Sequence, residues 1–336
     1  MKPIIQVVDL EKTYKGTERG KGLEEAFKSL IAPKYVYSRA VKKIRFSIDQ
    51  GEIVGFVGPN GAGKSTTIKI MTGVLYPTSG DVHVMGYTPW QDRKKYVKHI
   101  GAVFGQKSQL WWDLPPVDSF YLAKGIYNIP EKEFEQRLHT MVHLLKIDKV
   151  MHRPTRELSL GERMKCEFIM ALLHNPPVLF LDEPTIGVDA LAKEEIREFL
   201  LRINRKYKTT IILTTHDMDD IEELCERMIV IDRGTIIYDG DLQKVKQKYV
   251  VWQTVDFEHT EIKNKRKFAA ILKKGIVQVN KKWFKSIRFN KKEVNVPKLI
   301  GQLMCNSEIV DLAVHEPRLE HVIKEIYQDP ELKKKL

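Results

Sequence analysis

Hydrophobic positions in the first 240 residues form short apolar runs separated by stretches of helical periodicity. Runs at 4–10 and 43–48 predict early strands. Gly51-Glu-Ile-Val-Gly-Phe-Val57 predicts a buried strand, and 81–85 and 100–104 two more. Apolar residues at helical spacing fill 117–128, 131–147 and 161–174. Pro177-Val-Leu-Phe-Leu181 comes next and is apolar on both faces, as a central parallel strand must be. A helix at 190–206, the strand Thr210-Ile-Ile-Leu-Thr214, a helix at 218–225 and strands at 228–238 complete the series. This alternation predicts an α/β core, doubly wound on a mixed sheet, with a helical insert at about 107–175.

Two regions depart from that rhythm. Within the polar insert at 15–38, Leu23, Ala26, Phe27, Leu30 and Ile31 fall at i, i+3, i+4, i+7 and i+8, with Gly22 before and Pro33 after. They predict an amphipathic helix, which packs either on its own domain or on a partner or membrane surface. Beyond residue 240 the order is strand 250–257, helix 264–273, strands 276–279 and 283–290, helix 296–304, strand 308–314 and a tail helix at 318–327. That β-α-β-β-α-β order predicts a small α+β, ferredoxin-like domain. The expected division is therefore 1–240 and 241–336.

Composition narrows the class. The apolar runs are far shorter than the ~18–20 residues of a membrane span. Asp9, Glu11 and Lys12 interrupt the start of the chain, so no secretory leader is expected. Cys166, Cys225 and Cys305 are scattered and form no C-x-x-C pair, which suits a reducing compartment. The net charge of +12 is uneven: residues 241–336 hold 21 Lys and Arg against 12 Asp and Glu. A basic C-terminal part suits anionic lipid, nucleic acid or plain solvent.

The chemistry concentrates in Gly58-Pro-Asn-Gly-Ala-Gly-Lys-Ser65, which fits the phosphate-loop pattern G-x-x-x-x-G-K-[ST] at every fixed position. Gly58, Gly61 and Gly63 let the backbone turn its N–H groups toward phosphate oxygens. Lys64 supplies a positive charge, Ser65 a hydroxyl ligand for Mg²⁺, and a helix from Ser65 to Thr72 an anion-favouring N-terminus. Asn60 and Thr66 complete the candidate cradle. The strand ending in Asp182-Glu183 delivers two carboxylates beside this loop: Asp182 to hold Mg²⁺, Glu183 to orient and deprotonate an attacking water. His216, following Thr214-Thr215 at another strand end, is placed to contact the γ-phosphate.

Together, the phosphate loop, Gln106, Leu158-Ser-Leu-Gly-Glu162, Leu181-Asp-Glu-Pro-Thr185, Gly187-Val-Asp189 and Thr215-His216 resemble the ATP-binding subunit of an ABC transporter over about residues 4–240. The resemblance implies an ATPase using ATP and Mg²⁺, in which two subunits close head to tail around two nucleotides. It implies that Gln106 reaches Mg²⁺ and the attacking water, and that Ser159 and Gly161 contact the γ-phosphate bound by the other subunit. By the same resemblance Asp189 crosses the dimer interface, Glu183 is the catalytic base and His216 the switch histidine. An aromatic residue stacks on adenine in this family; Tyr14 has the usual local sequence and Tyr35 the more usual spacing, with Tyr14 preferred. The signature departs from the common LSGGQ form at Leu160 and Glu162. Glu162 either brings a negative charge near phosphate or points away, and competent but slower hydrolysis is expected.

The order of cassette, then C-terminal domain, is similar to the bacterial drug-export branch that includes daunorubicin-resistance-type ATPases. This implies a homodimer or a pair with a paralogous ATPase, on the cytoplasmic face of the membrane, powering export through a separate transmembrane permease. Trp111 and Trp112 are the expected anchors for that permease, unless both indoles simply pack the helical insert. Anionic lipid is a further possible contact and nucleic acid is not an expected partner. The alternative, a soluble ATPase switch acting on ribosome or nucleic acid, is disfavoured by the single phosphate loop.

Overall fold

The computed structural model describes residues 2–17, 35–105, 107–249, 252–315, 317 and 319–329. The amphipathic pattern at 23–31 and Gln106 lie outside them. The chain divides into two compact units, one reaching to Gly240 and one starting at Asp241.

In the first unit β1 (Ile5–Thr17), β2 (Tyr35–Ile48), β3 (Ile53–Val57), α1 (Lys64–Met71) and β4 (Ser79–Val84) come first. A short α2 (Arg93–Tyr96), β5 (Ile100–Phe104), α3 (Pro116–Tyr127), α4 (Glu131–Leu145) and α5 (Leu160–Leu172) follow. Then come β6 (Val178–Asp182), α6 (Ala190–Tyr207), β7 (Thr210–Thr214), α7 (Met218–Leu224), β8 (Arg227–Asp232) and β9 (Thr235–Asp241). The strands make two sheets, an antiparallel β2-β1-β4 and a six-stranded β5-β6-β7-β3-β8-β9 whose first five members run parallel. Arg233 and Gly234, both at positive φ, turn β8 into β9.

Strands β3 and β7 are buried at every residue, because a parallel strand is covered on both faces. Their registers matter for the site. Asp182 on β6 pairs with Thr214 on β7, and β7 pairs in turn with β3, whose last residue is Val57. Three carboxyl ends that carry chemistry are therefore adjacent. The core between the sheets is filled by Ile5, Phe46, Phe56, Ile68, Met71 and Phe180, all buried.

The first hairpin is longer than expected. Lys12–Thr17 pair with Tyr35–Val41, well past the ends read at residues 10 and 43. Outside the core this arm is exposed on both faces, so it shows no alternation of apolar and polar residues.

In the second unit α8 (Leu242–Tyr249), which was not anticipated, precedes β10 (Trp252–His259), α9 (Lys265–Leu272), β11 (Ile276–Asn280) and β12 (Phe284–Asn290). Helix α10 (Val296–Asn306), β13 (Ile309–His315) and α11 (Leu319–Gln328) complete it. The antiparallel order β11-β12-β10-β13 is the ferredoxin-like arrangement, with Val255, Phe257, Ile287, Phe289, Phe268 and Leu303 packed between sheet and helices. Among the described residues no helix is long and apolar enough to cross a membrane.

One half-buried histidine links the folding of the first unit to pH. His174 Nε2 donates to the Ile100 carbonyl at 3.0 Å, its ring stacks on Tyr127 at 3.9 Å, and its Nδ1 is buried without a partner. Burial lowers its pKa to about 4. The unfolded chain therefore binds a proton at this residue between pH 6.5 and 4 that the folded one refuses, and stability is lost as pH falls through that window. The loss attributable to His174 is expected to be about 3 kcal/mol. Urea titrations of wild type and His174→Gln at pH 7 and pH 4.5 check it: the variant should lose less on acidification, and equal losses would exclude the histidine.

Candidate nucleotide site

The glycines of the phosphate loop sit where side chains cannot. A Cβ on Gly58 would lie 2.3 Å from the Ile231 carbonyl oxygen, and one on Gly63, at φ 110°, would lie 2.4 Å from that of Ala40. Strands β8 and β2 thus press their backbones against the loop, and only hydrogen fits between. Gly63 is also the N-cap of α1, so the free N–H groups of that helix open onto the loop.

Lys64 is 5% exposed, and its ammonium donates to the carbonyls of Gly58 and Pro59 at 2.6 and 3.1 Å. Burial lowers its pKa, while the nearby Glu183 and Asp182 carboxylates pull it back up. Ser65 Oγ donates to Asp182 Oδ1 at 2.9 Å, and Thr214 Oγ1 donates to the same oxygen at 2.6 Å. Strand β6 thus places one carboxylate directly on the loop's hydroxyl.

Glu183 holds a left-handed backbone, φ 51°, which is uncommon for a residue with a side chain. Its N–H is secured by the carbonyl of Thr214 at 2.9 Å and the hydroxyl at 3.2 Å. A Cβ on Gly105 would come within 2.1 Å of the Glu183 carbonyl, so the turn is hemmed in from β5 as well. The carboxylate is 3.8 Å from His216 Nδ1. A cleft of about 910 Å³ is lined by Asn60, Gly61, Ser65, Asp182, Glu183 and His216 among others, and a smaller one by Lys64 and Thr66.

Tyr14, on the β1 arm, brings its hydroxyl within 3.4 Å of Thr66 Oγ1. Tyr35 pairs with Thr17 farther along the arm, its ring 3.5 Å from the Lys15 ammonium. Gln109, three residues after Gln106, has its side-chain amide on the Ala102 carbonyl at 2.6 Å.

Neither cleft is lined by Ser159, Gly161 or Asp189. Gly161 and Asp189 meet one another instead: a Cβ on Gly161 would lie 3.1 Å from Asp189 Oδ2, and Asp189 caps α6 by accepting from the Ala192 N–H at 3.0 Å. Ser159 caps α5 in a reciprocal box, its hydroxyl accepting from Glu162 N–H at 3.2 Å and Glu162 Oε2 accepting from Ser159 N–H at 2.8 Å. Arg153 lies 3.2 Å from both Glu162 oxygens. Of the two placements open for Glu162, the carboxylate takes the one folded back on its own helix end, with its charge paired.

Three participants were missed in the sequence. Thr214 bonds both acidic residues of the site. Buried Asp220 accepts from Thr185 Oγ1 at 2.5 Å and Arg197 Nε at 2.7 Å, bracing the turn after Glu183. Arg153 neutralises Glu162. Only Thr214 had a readable signal, as a hydroxyl at the end of a strand that leads into His216.

The family model described as ABC transporter matches residues 41–186. The ABC transporter ATP-binding protein NatA of Bacillus subtilis is 30% identical over 207 residues, which cover 62% of this chain and 84% of that protein. The chain belongs to the ABC transporter ATP-binding family. The probable multidrug ABC transporter ATP-binding protein YbhF of Escherichia coli is 36% identical over 209 residues, 62% of this chain and 35% of YbhF. Indeed the chain spans only about a quarter to a third of the length of the first curated relatives it matches. A solved ABC ATPase, CbiO1 from Clostridium perfringens, part of the transporter complex CbiONQ, superposes with a TM-score of 0.58 at 27% identity, covering 74% of this chain and 94% of that one. The loop, the two carboxylates and His216 described above thus sit in an ABC ATPase domain.

The capping box generates a test on this ATPase domain. Glu162→Ala removes the bond to Ser159 N–H and is expected to destabilise the domain by roughly 0.5–2 kcal/mol. Glu162→Gln keeps an acceptor and loses only the half-exposed pairing with Arg153, at about 0–1 kcal/mol. Urea unfolding separates the two, and equal losses would mean that the ion pair, not the box, secures the helix end.

Proposed function

We propose that the chain hydrolyses ATP within a head-to-tail dimer and powers export through a separate membrane-spanning chain, from the cytoplasmic face of the membrane. The observation that carries this reading is the convergence of Ser65, Asp182, Glu183 and His216 on one cleft, with Lys64 lining a smaller one that shares Ser65 and Glu183, while Ser159 and Gly161 line neither. A half-site of this kind requires its missing N-terminal helix donors from a second copy. The similarity to YbhF, a probable multidrug ABC transporter ATP-binding protein, supports export, and CbiO1 is part of a transporter complex.

In this mechanism the backbone N–H groups of Gly61 to Ser65 and the Lys64 ammonium bind the β- and γ-phosphates. Ser65 Oγ and Asp182, hard oxygen donors 2.9 Å apart, are the residues to hold Mg²⁺, which supplies charge neutralisation on the phosphates. Glu183 takes the proton of the attacking water, and His216, beside it, contacts the γ-phosphate. Tyr14 is the residue for adenine, given its contact with Thr66. Gln106 takes the water-sensing role, since the Gln109 amide is already committed to Ala102. Ser159 and the Gly161 N–H serve the nucleotide of the other copy, and Asp189 crosses between copies.

Trp111 and Trp112 are 56% and 53% exposed, so neither indole is consumed by packing the helical insert. Large exposed aromatics of this kind anchor interfaces, and here they face the permease.

Glu183→Gln is expected to lower ATP turnover by at least about 100-fold while leaving ATP binding intact and trapping the dimer. Phosphate release and size-exclusion chromatography check this, and unchanged turnover would remove Glu183 from the chemistry. Replacing Trp111 and Trp112 together by Ala should reduce recovery of a polytopic membrane protein in mild-detergent pull-downs without lowering the melting temperature. Undiminished recovery would move the docking surface elsewhere.

A further inference from the structure

The loop between β5 and α3 displays two exposed tryptophans, yet it is fastened to the helical insert almost residue by residue. Ser108 Oγ donates to Glu167 Oε1 at 2.5 Å, and the Gln109 N–H lies 3.0 and 3.1 Å from the two Glu167 oxygens. Trp111 N–H donates to Ser119 Oγ at 3.3 Å, and the Trp112 carbonyl accepts from Arg156 N–H at 3.0 Å. The Leu114 carbonyl accepts from Thr155 Oγ1 at 2.8 Å, while the Arg163 guanidinium lies 5.9 Å from the centre of the Trp112 ring. Glu167 and Arg163 both belong to α5, whose N-terminus is the Ser159–Gly161 signature.

Glu167 is the costly member of this set. It is a carboxylate at 2% exposure in a helix whose buried face is apolar apart from it and Lys165. Burial pushes its pKa up, opposed by the hydrogen bonds from Ser108, Gln109 and Leu110 and by the charge of Arg163. An apolar side chain would fill the same space with no charge to desolvate. What the carboxylate adds is an acceptor for several donors of one loop at once.

We propose that Glu167 is a positioning residue that latches 108–110 to the signature helix, so that the tryptophan loop and the Ser159–Gly161 end move as one body. It rests on the transporter reading given above. Glu167 lies about 10 Å along α5 from Leu160, with no flexible joint between them. A push by the permease on Trp111 and Trp112 is then delivered to the γ-phosphate contacts of the other copy, and closure on ATP is delivered back to the permease.

The test uses the full chain carrying Glu183→Gln, grown with 5-fluorotryptophan, with the Trp111 and Trp112 ¹⁹F signals assigned through single Phe substitutions. On adding ATP, both signals are expected to shift as the dimer forms. Glu167→Ala should abolish that shift while size-exclusion chromatography still shows ATP-driven dimerisation, because each hydrogen bond lost from a charged acceptor changes the docked-to-free ratio of the loop roughly tenfold or more. Glu167→Gln, which keeps an acceptor, should restore the shift; failure to restore it overturns a hydrogen-bonded latch. An undiminished shift in Glu167→Ala, or a parent that dimerises without any shift, overturns the latch and leaves the transporter reading standing. A parent that neither dimerises nor responds overturns both. If Glu167→Ala does not fold, Ser108→Ala removes one donor from the exposed loop instead: a reduced shift supports the latch and an unchanged one overturns it.

Discussion

The site exists because two strands press backbone carbonyls onto the phosphate loop at distances that exclude a side chain. The Ile231 oxygen on Gly58 and the Ala40 oxygen on Gly63 leave room for hydrogen and nothing larger. This contact joins the two sheets of the first unit, since Ala40 belongs to the antiparallel one and Ile231 to the mainly parallel one. A loop clamped from two sides keeps its N–H groups aligned without any ligand to organise it, which is the condition for tight anion binding at a helix N-terminus. The same device recurs at Gly105 against the Glu183 carbonyl, so Glu183 is confined by the same kind of backbone contact as the loop.

Charge is distributed around that framework with little left unpaired. Asp182 receives two hydroxyls, Glu162 receives Arg153 and a backbone N–H, and Asp220 receives Thr185 and Arg197. Each of these acids stabilises a turn at a strand or helix end, where exposed backbone groups need partners. Glu183 is the different one. Its backbone is fixed by Thr214 while its carboxylate faces the cleft beside His216.

Much of this was legible in the residues. The phosphate loop, the apolar strand ending in Asp182-Glu183 and the strand leading to His216 could be read because function there is carried by spacing within short segments. The strand order of the second unit followed from element order alone. What escaped depends on residues distant in the chain: Glu167 bonds a loop 58 and 59 positions away, and Thr185 meets Asp220 across 35. No local pattern records such pairs. The extended arm of β1 and β2 was missed for another reason. Its residues face solvent on both sides, and the choice between Tyr14 and Tyr35 turns on a register that such a strand leaves unwritten. Helix α8 was missed because only Leu242 and Val245 bury, too few to set up a periodicity.

The contacts of Lys64 bear on how this loop holds its charge. A buried ammonium would ordinarily be a strained, desolvated charge, and the carbonyls of Gly58 and Pro59 act here as its substitute water. Both acceptors belong to the loop that carries the lysine, so the charge is housed by the same backbone that it braces.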